Sequence, residues 1–117
     1  MWERAKRRLA ASRASLDAGF FDAAVSSAYY AMLYAARAAL SEEEQHAKTH
    51  SGTWNRFWQS VAASGRFDRS LASEARNAQP LREGADYDAV EVSREEATKL
   101  IELAERFILA VGELVGD

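Results

Sequence analysis

The chain has 117 residues, a formal net charge of −3 and no cysteine. That length suits one domain burying roughly two-thirds of its unfolded surface, and the missing thiols exclude a disulfide frame, a thiolate zinc site and a cysteine nucleophile. A net-negative molecule offers no overall cationic field to nucleic acid, so any such contact has to come from a local patch. Hydrophobic residues make up 48% and there is a single proline, which favours helices over sheets. No apolar run approaches the roughly 20 residues that span a bilayer. The basic start "MWERAKRRLAASR" lacks the apolar stretch of a secretory signal. The expectation is a cytoplasmic protein without membrane contact.

Trp2, Ala5, Leu9, Ser12 and Leu16 recur at spacings of three and four and predict a first helix from about Trp2 to Ala18. Arg4, Lys6, Arg7, Arg8 and Arg13 occupy much of the rest of its surface, and Gly19 supplies a permissive stop. A second helix is predicted from about Phe21 to Leu40. Phe21, Val25, Tyr29, Met32, Ala36 and Leu40 form one face. Ala24, Ala28, Ala31, Ala35 and Ala39 form another, small enough for close approach, and Tyr30, Tyr34 and Arg37 extend a third. A helix apolar on nearly all sides is a buried one, so this is the expected centre of the fold.

"SEEEQHAKTHSG", residues 41–52, reads as a polar loop. A third helix spans about Ser51 to Ser64, loaded by Trp54, Phe57, Trp58 and Val61 and capped by Thr49, His50 or Ser51. Asp68 is a plausible N-cap for a fourth, in which Leu71, Ala75, Ala78 and Leu81 hold helical spacing and Pro80 kinks or breaks the end. Ser93 and Glu96 form a capping box ahead of Ala97, Ile101, Ala104, Ile108, Val111 and Val115. The fold class is therefore all-α, a five-helix up-and-down bundle covering residues 1–117 as one domain.

Four places can carry chemistry. His46 and His50 stand four apart, as metal ligands on a helix can, but nothing like H-E-x-x-H surrounds them; no metal or cofactor is expected. Tyr29, Tyr30 and Tyr34 read as core or interface aromatics, with base stacking as the alternative. Arg4, Arg7 and Arg8 read as a solvated face, with phosphate binding as the alternative. The fourth is "PLREGADYDA", residues 80–89, where the helical repeat stops. There Arg82 can fork onto a phosphate, Asp86 can orient it or accept a proton, and Tyr87 offers a hydroxyl. The same residues can equally brace a helix end through an Arg82–Asp86 pair.

The segments "GFFDAAVSSAYYAMLYAARAAL", "KTHSG" leading into "WNRFW", and "LREGADYD", followed by a long last helix, together resemble the HEPN superfamily over nearly the whole chain. The resemblance implies a HEPN-type helical bundle that pairs as a homodimer. It also implies a toxin-like component of a toxin–antitoxin pair whose partner is a minimal nucleotidyltransferase. Active members of the superfamily are metal-independent ribonucleases with an arginine followed four to six residues later by histidine. In some pairs the partner adenylylates a nearby tyrosine. This chain has no such Arg-x4-6-His motif. Arg82 and Tyr87 carry over as the motif arginine and tyrosine, and Asp86 stands near the histidine position. His50 can fill the gap if the third helix begins near that corner. The expected function is action on RNA at Arg82, Asp86, Tyr87 and His50. The alternative is a non-catalytic module that binds a nucleotide or substrate for the partner.

Overall fold

A computed structural model describes residues 1–86 and 91–116, with the side chains of 85 and 86 left outside the description. The described residues contain no strand. Their helices are α1 (Trp2–Asp17), α2 (Phe21–Glu42), α3 (His50–Phe57), α4 (Arg69–Arg76), α5 (Gln79–Asp86) and α6 (Arg94–Val115). The bundle has the expected columns, with the fourth divided into the short α4 and α5.

α2 is the axis. More than half of its residues are buried, including Ala24, Ala28, Ala31 and Ala35, which expose none of their surface. Such short side chains let neighbouring backbones come close, and α1, α6, α5 and α3 all pack on this helix. From α1 come Ala5 and Leu9, and Ser12 satisfies its buried hydroxyl by donating to the Leu9 carbonyl at 2.7 Å. α6 begins at the expected capping box. Ser93 Oγ accepts from the Glu96 amide at 3.1 Å, and Glu96 Oε1 accepts from the Ser93 amide at 3.2 Å. It ends at Gly116, whose φ of +77° is the left-handed conformation glycine adopts without cost.

α2 runs two residues beyond the predicted end, and the polar segment after it is a loop. Gln45 ties that loop down by donating from Nε2 to Ser60 Oγ at 2.7 Å. After Phe57, α3 continues over Trp58–Ala62 in wider turns, with the Ala63 amide reaching the Trp58 carbonyl at 2.7 Å. Phe57, Phe67 and Phe107 form the aromatic centre of the core, with ring centroids 5.1–5.5 Å apart, and Trp54 meets Phe107 at 5.8 Å. Aromatic pairs like these add about 0.5–1.5 kcal/mol each beyond area burial.

The reading of Pro80 needs correction. The helix breaks earlier, at Asn77–Ala78, after α4 has been started by Asp68 accepting from the Ser70 and Leu71 amides. Pro80 then sits in the first turn of α5, where its missing N–H has no intrahelical acceptor to lose. Residues 80–86 are thus helical, as the short α5 that ends at Asp86, and the Arg82 amide donates to the Ala78 carbonyl at 3.1 Å. Arg82 therefore projects from a regular helix packed on α2.

Phe107 is fully buried and touches three aromatic rings. Phe107→Ala should destabilise the domain by about 3–5 kcal/mol. Urea unfolding checks this: the midpoint should fall while the slope of the transition stays unchanged.

Candidate functional site

The first turn of α3 is built to place one side chain. Thr49 is the N-cap; its Oγ1 accepts from the Gly52 amide at 2.9 Å. A Cβ on Gly52 would lie 2.6 Å from that oxygen, so the glycine is required by the cap itself. Thr53, fully buried, donates its hydroxyl to the Thr49 carbonyl at 2.8 Å and accepts from Arg37 Nε at 3.1 Å. Arg37 Nη2 also donates to the Lys48 carbonyl at 3.4 Å. An arginine of the central helix thereby holds both sides of the α3 start, and His50 follows the cap directly.

His50 meets three groups. Its ring lies 5.7 Å from the Tyr29 ring and 5.6 Å from that of Tyr30. Tyr29 Oη stands 3.3 Å from Nδ1. That oxygen already accepts from Trp54 Nε1 at 3.1 Å, which leaves the Tyr29 proton free to be donated to the imidazole. Arg82 comes from the other side. Its guanidinium carbon lies 5.3 Å from the Tyr29 ring centre and 5.5 Å from that of Tyr30, and its Nη2 reaches Nδ1 at 3.5 Å, the outer edge of hydrogen-bonding distance. Guanidinium can only donate, so the tautomer that suits both neighbours accepts at Nδ1 and carries its proton on Nε2. The Arg82 side chain is 11% exposed, with Glu83 Oε1 3.9 Å away.

The electrostatics follow from this crowding. Burial lowers the His50 pKa, and the charges of Arg82 and Arg37 lower it further, while Glu83 works weakly against them. Burial raises the Tyr29 pKa more than the Trp54 hydrogen bond and the Arg82 charge lower it. Near neutral pH the pocket therefore holds a neutral imidazole, a neutral phenol and a guanidinium cation. That set can bind an oxyanion and accept a proton next to it.

The structure brings Arg82 and His50 together across 32 positions of sequence. Tyr87 lies outside the described residues, as does the side chain of Asp86, and with it the expected Arg82–Asp86 brace. His46 is exposed in the loop before α3. Two participants were not singled out from sequence. Tyr29 appeared only among the aromatics, and Arg37 only as part of a helix face. The signal for Arg37 was available: a lone cation on an otherwise apolar helix needs a partner.

An all-α bundle that seats an arginine and a histidine against tyrosine faces is the class these features define. A HEPN domain profile matches residues 1–114, and the chain belongs to the HEPN family. It is 37% identical to a UPF0332 protein of Gloeobacter violaceus over all of this chain and 94% of that protein. A protein of Methanocaldococcus jannaschii named "Putative toxin" is 35% identical over 91% of this chain and 73% of its own length. A UPF0332 protein of Archaeoglobus fulgidus is 33% identical over 90% of this chain and 84% of its own length. No described helix is long and apolar enough to cross a membrane.

The depressed His50 pKa sets the sign of a stability effect. The unfolded chain protonates this histidine near the ordinary value of about 6.5, whereas the folded one resists until lower pH. Between those two values the unfolded state binds more protons, so stability falls as pH falls. Lowering the pH from 7 to 5 should reduce the melting temperature more for wild type than for His50→Asn. Thermal unfolding at matched ionic strength measures the difference.

Proposed function

We propose that this chain is the toxin-like member of a pair with a minimal nucleotidyltransferase, and that as a homodimer it cleaves RNA at the Arg82–His50 site. The observation that carries the reading is the Arg82 guanidinium beside the His50 imidazole, with Nη2 3.5 Å from Nδ1. The name of the Methanocaldococcus jannaschii relative supports the toxin-like role. The homodimer and the nucleotidyltransferase partner rest on family resemblance.

Once the long Arg82 contact turns to the phosphate, neutral His50 accepts the proton of the RNA 2′-hydroxyl at Nδ1, its unprotonated nitrogen, as that oxygen attacks the adjacent phosphorus. Arg82 neutralises the charge that gathers on the non-bridging oxygens of the phosphorane. The P–O5′ bond breaks, and the imidazolium returns its proton to the departing 5′-oxygen. The products are a 2′,3′-cyclic phosphate and a 5′-hydroxyl end. Anion binding next to Arg82 offsets the charge that depresses the His50 pKa and so favours the imidazolium when it is needed. Asp86 and Tyr87 enter from sequence alone, Asp86 as a group that orients Arg82 or takes a proton and Tyr87 as the hydroxyl the partner modifies.

Purified protein should cut single-stranded RNA in the presence of a chelator and leave those two end groups, identifiable by whether phosphatase and kinase treatments are needed for ligation. Arg82→Ala and His50→Ala should each lower the rate by about 100-fold or more. Nucleotide binding by calorimetry without any cleavage would replace this reading with that of a binding module. Arg82→Ala arresting growth as wild type does would remove the site from the toxic function.

A further inference from the structure

α1 and α2 together display a ladder that neither shows alone. The Arg4 guanidinium lies 5.5 Å from the Tyr34 ring centre. Arg8 lies 5.5 Å from the ring of Tyr30 and 6.0 Å from that of Tyr34, so it bridges the two. Arg82 covers the Tyr30 ring at 5.5 Å and continues to Tyr29 and His50. Cations and rings thus alternate from Arg4 through Tyr34, Arg8 and Tyr30 to the Arg82–His50 pocket. Arg4 and Arg8 are exposed, and Tyr30 and Tyr34 are half-buried. Among the described residues, no carboxylate lies within ion-pair distance of Arg4, Arg7 or Arg8, whereas Lys6 and Arg13 have acidic partners.

We infer that this ladder is the track for a single-stranded RNA segment flanking the bond at Arg82–His50, with Arg8 and Arg4, seated on the Tyr30 and Tyr34 rings, on successive phosphates. The inference rests on the RNA reading of the neighbouring pocket. Arginines seated on ring faces are held in place with their donors turned outward, which suits sequence-tolerant contact with the phosphates of a single strand, because every linkage carries a charge. On a chain of net charge −3, arginines gathered on one face with no ion-pair partner among the described residues suit an anionic ligand there. A second copy apposing the same ladder about a twofold axis would set guanidinium against guanidinium, so self-association through this face is disfavoured by charge.

The test separates the ladder from the pocket. Binding is read by fluorescence anisotropy on a labelled single-stranded oligoribonucleotide carrying 2′-O-methyl groups, which cannot be cleaved, across a salt series. Arg4→Gln with Arg8→Gln should weaken binding at least 10-fold. It should also lower the slope of log affinity against log salt by about 1.4, from about 0.7 per single-strand phosphate. Tyr34→Ala should weaken binding about 2-fold or more, with Tyr34→Phe restoring it, since seating Arg4 and Arg8 needs the ring and not the hydroxyl. Cleavage of a dinucleotide, too short to reach the ladder, should stay at the wild-type rate in all three variants. Unchanged affinity and salt slope in the double variant overturn the ladder even if the protein cleaves RNA. Ladder-dependent binding without cleavage by wild type keeps the ladder and removes the nuclease reading. A double variant that loses affinity only for an acidic protein partner, with RNA affinity intact, also overturns it.

Discussion

The constraint that organises this molecule is the burial of α2 on nearly every side. A helix in that position has to satisfy each polar atom it carries, because a buried group left without a partner costs about 1–3 kcal/mol. Two side chains of α2 pose the problem most sharply. The Tyr29 hydroxyl is answered by Trp54 and His50, and the Arg37 guanidinium by Thr53 and the Lys48 carbonyl. All four answers come from residues 48–54. Satisfying the central helix is therefore the same act as positioning the start of α3, and it fixes the imidazole against the two tyrosines.

The second consequence is electrostatic. Arg82 is brought nearly out of water over two aromatic faces, where its charge is supported by ring quadrupoles worth up to about 2 kcal/mol in a desolvated setting. Ring faces add to the support that the Glu83 carboxylate gives this cation at 3.9 Å. Its field adds to burial in lowering the His50 pKa, and it pulls the Tyr29 pKa down against burial. An arriving oxyanion relieves that field, so anion binding and protonation of His50 promote each other.

Much of the architecture was legible in the chain. α6 is written out by its capping box and by an apolar repeat that holds for about six turns, and α2 by an apolar pattern that leaves no polar face. The fourth column was harder for a definite reason. A proline within a helical pattern can end one helix or begin the next, and periodicity is nearly the same in both cases. What decides is the break at Asn77–Ala78, where the residues carry no strong signal. The site divides in the same way. "KTHSG" discloses a cap, with threonine accepting and glycine leaving room, and that much is local chemistry. The meeting of His50 with Arg82 is a tertiary event between α3 and α5, and no spacing rule reaches across it. Asp86 and Tyr87 remain where sequence leaves them, as neighbours of Arg82 along the chain.

This division bears on how the site depends on the fold. When an arginine and a histidine stand four to six residues apart, one helix can fix their separation. Here the histidine precedes the arginine and belongs to another helix, so their separation is set by how both pack on α2. Arg37 becomes the residue on which the geometry turns, although it touches neither of them in the hydrogen-bond pattern: it holds Thr53 and the Lys48 carbonyl, and through them the cap that seats His50. A site assembled this way can lose its arginine–histidine contact by a small shift of the α3 start while both side chains and the bundle core remain intact. The geometry of the site is then sensitive to residues that a motif search passes over, and the lone cation on the apolar helix is the first of them.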